Sequence, residues 1–202
     1  MEMFEEFMAE STAQAFIDDA NFKILGKGGF AKEVKFLMES LGIKNIIEID
    51  KGEEPEINFD DYLVVGVGNP KVKKELSEAF FKHSFPNIVA KDFIGDVKLG
   101  EGNIICNGVI ATTDIQIGNF NAINLGCTIG HDVKIGNFNQ INPSVNISGR
   151  VEIGDECLIG VGATILERIH ICSNVIIGAG AVVTKDIIEP GTYLGIPARR
   201  II

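Results

Sequence analysis

Of the three histidines in the chain, one stands beside an acid: His131 follows Gly130 and precedes Asp132 within NLGCTIGHDVKIGNFNQINP. An imidazole steadied by a carboxylate can act as a general base, because the acid fixes the tautomer and raises the basicity of the ring. Neighbouring side chains can also point apart, so sequence adjacency leaves two readings, a catalytic pair or a solvated corner. His83, in FKHSFP, reads as a surface or linker residue, and His170, between Ile169 and Ile171, as one that projects outward. Three scattered histidines and unclustered carboxylates form no recognisable ligand set, so no metal is expected.

A second chemical feature is Gly26-Lys27-Gly28-Gly29-Phe30-Ala31, which follows an apolar run and opens a helical one. Such a turn leaves unsatisfied amides where a phosphate could sit. Ala31 stands where the third glycine of a full dinucleotide fingerprint would be, so a plain structural turn stays open as well. Glu48 or Asp50, at the end of the next strand, could accept hydrogen bonds from a ribose or base. Cys106, Cys127, Cys157 and Cys172 are far apart, without zinc-ribbon or redox-pair spacing, and read as reduced packing residues.

These residues need positioning elements, and the chain supplies two kinds. The first fifteen or so residues, with Phe4, Phe7 and Met8 among acids, predict a short amphipathic helix. A strand through 23–25 then runs into the glycine turn, and a helix follows with Val34, Phe36, Leu37 and Leu41 as its apolar positions and Gly42 as its stop. Further strands fit 44–49 and 61–68, the latter almost continuously apolar. A helix over 70–81, started by Pro70 and carrying Val72, Leu76 and Phe80, completes a small parallel α/β unit of mononucleotide-binding type.

Beyond residue 95 a different rule holds. Leu99, Ile105, Ala111, Ile117, Ile123 and so on to Ile177 and Val183 recur at an unbroken spacing of six. Two places before each lies a small or branched residue, with Asn103, Asn121 and Asn139 interspersed. A period of six fits neither an amphipathic helix nor one extended strand. Each hexad can instead supply one short strand and a turn, and three close a triangular coil. The aliphatics are then stacked core, the asparagines can bond to one another along the axis, and Gly118, Gly136, Gly154, Gly160 and Gly178 are expected to permit tight corners. Flat faces of such a coil invite packing of three subunits. The expected fold is therefore mixed: an N-terminal Rossmann-like α/β domain over 1–92, then a parallel β-helix of about five coils over 93–202.

Composition narrows the function classes. With 18 Lys+Arg against 28 Asp+Glu the chain carries a formal charge of −10, which argues against binding a nucleic-acid polymer. It contains no long apolar run, and its acidic start is unlike a signal peptide, so a cytoplasmic protein without a membrane span is expected.

Taken together, the glycine turn, the hexads and the closing GAGAVVTKDI and GIPAR segments resemble the left-handed β-helix acyltransferases, specifically bacterial sugar acetyltransferases that include sialic acid O-acetyltransferases and UDP-4-amino-sugar N-acetyltransferases. The resemblance covers residues 22 to 202 and implies left-handedness, a homotrimer with intersubunit active sites, acetyl-CoA as co-substrate and a nucleotide-sugar acceptor. It places the general base on His131 and its orienting acid on Asp132. It assigns main-chain contacts to the acetyl and pantetheine groups to Gly149, Val161 and Ala179, and holds the acceptor partly on the N-terminal domain, where the glycine turn and the following strand end make Gly26, Lys27, Gly28, Gly29, Phe30 and Asp50 the expected binding residues. The second histidine of the family, nine residues after the base, is here Gln140, which can donate a hydrogen bond to the acetyl-CoA end but cannot act as a base. Gly29-Phe30-Ala31 replaces the usual glycine-histidine-glycine, with Lys27 as a possible phosphate partner. A basic patch for CoA phosphates is expected near Lys185, Arg199 and Arg200.

The leading expectation is N-acetylation of a UDP-linked 4-amino-4,6-dideoxy sugar. Its rivals are O-acetylation of sialic acid or another sugar, a non-catalytic β-helix scaffold, and a zinc hydratase of the hexapeptide class, for which too few ligands are present.

Overall fold

The computed structural model describes residues 20–52 and 57–201. The expected amphipathic segment at the N-terminus lies outside the described residues.

The N-terminal unit is a three-stranded parallel sheet in the order β2-β1-β3, with β1 at Phe22–Leu25, β2 at Ile46–Ile49 and β3 at Tyr62–Val65. Helix α1 (Gly29–Ser40) follows β1, and α2 (Pro70–Ala79) follows β3. The third strand is shorter than its apolar run predicts. After Val65 the chain leaves the sheet through Gly66–Asn69; Gly66 still donates to Leu25 O (3.0 Å) and is packed so closely that a Cβ there would meet Ile24 Cγ2 at 2.5 Å and Ala31 at 3.0 Å, and the Asn69 side chain caps α2, its Oδ1 accepting from the amides of Lys71 and Val72.

Two helix faces differ from expectation. Phe36 is 71% exposed, on the rim of a cavity of about 290 Å³ between α1 and the coils, lined also by Leu37, Cys106 and Leu125. On α2 the buried residues are Pro70, Lys73 and Ser77, while Leu76 and Phe80 are half-buried against the sheet. The cause is that α2 is packed on two sides, by the sheet and by the β-solenoid.

The solenoid itself follows the six-residue register. Ile105 and each successive register position to Val183 are at most 4% exposed, in one continuous apolar column. Its three faces are parallel sheets. The first face runs through strands at 104–105, 122–123, 140–141 and 158–159, the second through 110–111, 128–129, 146–147 and 164–165, and the third through 97–99, 115–117, 134–135, 152–153 and 170–171. Strand β4 (Ile88–Val89) already pairs with Ile104–Ile105 on the first face, so the solenoid begins at Ile88 and a domain boundary at 92 falls inside it.

The corners are built otherwise than expected. Gly118, Gly136, Gly154, Gly160 and Gly178 do not have positive φ; the left-handed corner positions are held by other residues, among them Phe120, Asp132, Phe138, Arg150 and Glu156. Gly136 is small for another reason: a Cβ there would lie 2.8 Å from Gly154 O in the next coil, so it permits coil-to-coil approach. The asparagine column is structural, as expected. Asn139 Nδ2 donates to Asn121 Oδ1 (3.0 Å), Asn121 Nδ2 donates to Asn103 Oδ1 (3.1 Å), and Asn139 Oδ1 accepts from the Cys157 amide (2.7 Å). Cys106, Cys127 and Cys157 are buried free thiols; burial pushes Cys106 up to about 12, which suits packing and not reactivity.

The first face carries the N-terminal unit. Ile88, Ile104, Cys106 and Ala122 pack with Phe22, Ile24, Ala31 and Met38, and Phe120 stacks on Phe138 (5.5 Å) beneath Leu25, Leu63 and Val65. Among the described residues no helix is long and apolar enough to cross a membrane.

Candidate functional site

His131 stands at the corner between the second and third faces, one residue before the left-handed Asp132 (φ 59°). That turn of the backbone brings the two side chains together: His131 Nδ1 lies 2.8 Å from Asp132 Oδ2. With Nδ1–H donating to the carboxylate, Nε2 is left as the acceptor. The hydrogen bond from His131 first, and then the Arg150 guanidinium, hold the Asp132 carboxyl below the usual carboxylate range. Arg150, stacked 18 residues later on the same corner, has Nε 3.6 Å from Asp132 Oδ2 and Nη1 3.4 Å from Glu167 Oε1. The pair is about half exposed, His131 at 47% and Asp132 at 50%.

Below the ring lies Gly149, in the same corner of the next coil. A Cβ on Gly149 would stand 2.6 Å from His131 Nε2, so only a glycine lets the imidazole lie flat across the coil. Val161 and Ala179 stack on each other at the corner between the first and second faces, with the Gly180 amide donating to Val161 O (2.8 Å). His131 and Gly149 therefore border one edge of the second face, and Val161 and Ala179 the other. The outward residues of that face, Ile110, Thr128, Asn146, Thr164 and Val182, include no charge. By contrast the third face presents Lys98, Gln116, Lys134, Glu152 and His170, with Lys134 Nζ 2.9 Å from Glu152 Oε1.

The glycine turn forms a separate half-site. Gly28 is the N-cap of α1 with no side-chain cap and no acidic residue follows in the first turn, so the first amides of the helix are open to an anion. Positions 28 and 29 face open space, while Gly26 adopts φ +118°, with its amide donating to Ile49 O (2.8 Å). That bond sets Asp50, exposed at the end of β2, beside the turn; Glu48 Oε1 is buried and, among the described residues, has no hydrogen-bond partner. The Gly66–Asn69 turn is the neighbouring wall, since a Cβ on Gly26 would meet Val67 at 3.0 Å. The apolar run predicts strand over 61–68, but the strand ends at Val65 and the rest forms this wall; its signal in the sequence is the pair Gly66 and Gly68 just ahead of Pro70.

Within one chain the two halves are not brought together. The N-terminal unit covers the first face, and the corner that carries His131 lies opposite that face in a triangular coil. Gln140 is on the first face and 4% exposed: its Oε1 accepts from Lys73 Nζ (2.9 Å) and its Nε2 donates to Asn142 Oδ1 (3.3 Å). At the C-terminus Arg199 and Arg200 are exposed, and Arg200 pairs with Glu189 (3.3 Å). His83 is half-buried between Phe59 and Phe80, and His170 projects outward toward Glu152.

Comparison with known proteins agrees with this architecture. The bacterial transferase hexapeptide (six repeats) family matches residues 132–167 and 150–185. The acetyltransferase domain of PglB from Neisseria gonorrhoeae FA1090 superposes with a TM-score of 0.85 at 25% identity, covering 91% of this chain and 100% of that one. The same domain in complex with acetyl coenzyme A gives 0.83 at 25% identity, covering 90% and 98%. PerB from Caulobacter crescentus, in complex with CoA and GDP-perosamine, shares the fold with a TM-score of 0.81 at 24% identity, covering 91% and 98%. No curated protein matches the chain. The resemblance to hexapeptide-repeat sugar acetyltransferases thus extends through both the N-terminal unit and the coils.

Proposed function

We propose that this protein is an acetyl-CoA-dependent sugar N-acetyltransferase, which moves acetyl to the amino group of a UDP-linked 4-amino-4,6-dideoxy sugar with His131 as general base. The observation that carries the reading is the His131–Asp132 bond of 2.8 Å, which leaves Nε2 as a proton acceptor over Gly149. The likeness to the gonococcal acetyltransferase domain, whose complex holds acetyl coenzyme A, supports the donor. The uncapped N-terminus of α1, flanked by Asp50 and Glu48, suits a nucleotide diphosphate and its ribose.

In this reading the acceptor amine attacks the thioester carbonyl directly. Its nitrogen forms the new C–N bond, Nε2 of His131 takes the proton, and the C–S bond breaks to release CoA. The Gly149 amide faces the developing oxyanion, and Val161 and Ala179 guide the pantetheine along the far edge of the second face. Packing of that uncharged face against further copies as a homotrimer would bring the glycine turn of one protomer to the His131 corner of another, which one chain alone does not achieve.

The test is CoA release by purified protein over a panel of UDP-, dTDP- and GDP-linked amino sugars and free sialic acid, with the acetylated atom located by NMR. Turnover on a UDP-linked amino sugar is expected. Acetylation of sialic acid alone would overturn the acceptor, and a fully active His131→Ala variant would overturn the mechanism.

A further inference from the structure

Lys73 is an amine placed where lysines are rarely found. It lies on α2 at 2% exposure, and its Nζ donates to Asn139 O (2.9 Å) and to Gln140 Oε1 (2.9 Å), both on the first face of the solenoid. Burying an amine so completely costs far more than an apolar contact would, and polar groups in such positions specify an arrangement more than they add stability. The arrangement here is visible. The Lys73 amide is bonded to Asn69 O (3.0 Å), the last residue of the Gly66–Asn69 turn, and a Cβ on Gly68 would touch Gln140 Cδ and Oε1 at 3.7 Å. Gln140 in turn sits nine residues after His131 in the same coil.

We infer that Lys73 and Gln140 form a positioning pair that sets the Gly66–Asn69 turn, one wall of the acceptor half-site, at a fixed place on the coil that carries His131. This rests on the function proposed above for the identity of the ligand, but not for the mechanical link. Gln140 is then a tether for the acceptor side and has no spare surface for acetyl-CoA. The second tie of α2, Lys74 Nζ to Glu156 Oε1 (2.8 Å), is partly exposed and reaches the next coil instead of Gln140, so it serves as the control.

Amide hydrogen exchange of the free protein, read at residues 66 and 73, whose amides donate to Leu25 O (3.0 Å) and Asn69 O (3.0 Å) at the two ends of the turn, tests the link without any activity. Lys73→Met and Gln140→Leu are expected to speed exchange there by about tenfold or more, whereas Lys74→Ala leaves it unchanged and Gln140→Glu, which still accepts from Lys73, keeps wild-type protection. The same two disrupting variants should weaken UDP binding about tenfold and raise the acceptor KM with acetyl-CoA KM within about twofold of wild type. Folded Lys73→Met and Gln140→Leu proteins with wild-type exchange at the turn would overturn the inference; should Lys73→Met fail to fold, the two Gln140 variants decide it. Wild-type protein that binds no UDP and transfers no acetyl would sink the proposed function, while the exchange comparison would still decide the tether.

Discussion

Gly149 lies under the imidazole of His131, so close that a methyl group at position 149 would fall 2.6 Å from Nε2 and 2.8 Å from Cε1. The backbone of Gly149 is not in the left-handed region, so alanine is acceptable to the chain and unacceptable only to the ring. Gly149→Ala should therefore turn the imidazole away from Asp132 while leaving the coil folded. A drop in kcat of about 10- to 100-fold is expected, with a melting temperature within a few degrees of wild type. Unchanged kcat would mean that the ring orientation seen over Gly149 does not matter for turnover.

Asp132 holds its partner from a left-handed corner, and asparagine is among the few residues that accept φ near 59°. Asp132→Asn thus keeps the backbone and the Nδ1 contact but removes the negative charge. Its kcat should fall by about tenfold or more, less than the loss of at least roughly 100-fold expected for His131→Ala, with circular dichroism unaltered for both. Equal losses for the two variants would place the acid in the proton transfer itself instead of beside it.

How much of this was legible in the residues follows from distance along the chain. The aliphatic register was readable because every side of a coil repeats the same inward position, and the His131–Asp132 pair because both partners fall within one corner. The positions that depend on stacking were harder. Gly149 is 18 residues from His131, a separation that becomes meaningful only once the coil length is known; Phe120 and Phe138, also 18 apart in two GNFN segments, carried the same signal for the seam under the N-terminal unit. Lys73 and Gln140 are 67 residues apart and belong to different repeats and domains, so no local pattern announces them. The glycines at 118, 136, 154, 160 and 178 look like corner residues in the sequence, but neighbouring backbone and side chains crowd them while residues as large as Phe120 and Arg150 hold the left-handed corners, and only the dihedral angles separate the two.

The amide column contributes to stability by satisfying buried backbone donors that the apolar core cannot. Asn139 is fully buried, donates to Asn121 Oδ1 at 3.0 Å and accepts from the Cys157 amide at 2.7 Å. Asn139→Ala leaves the Cys157 amide without its acceptor in a dry interior, at a cost of about 1–3 kcal/mol for the unpaired group, and adds a cavity, while Asn121 Oδ1 keeps the bond from the residue 139 amide (2.9 Å). Urea unfolding should show the midpoint falling by more than for Val145→Ala, although that valine is equally buried. A smaller loss for the asparagine would show that the column is dispensable.

Lys73 should leave its mark on the pH dependence of folding. Burial lowers its pKa from 10.5 in the open chain to about 7. Between those values the unfolded chain binds a proton that the folded chain does not, so this residue makes stability rise with pH through that window; below about 7 the full penalty of burying the charge is present. A neutral amine also fits the site, since its two N–H donors match the two acceptors, Asn139 O and Gln140 Oε1. Lys73→Met loses those bonds at every pH but has nothing to titrate. Comparing the two proteins by urea unfolding at pH 6, 7.5 and 9 cancels the other ionisable groups. The deficit of the variant should widen as pH rises, by up to about 1.4 kcal/mol per unit inside the window. A deficit that stays constant, or that narrows, would mean that Lys73 remains protonated in the folded protein over the whole range.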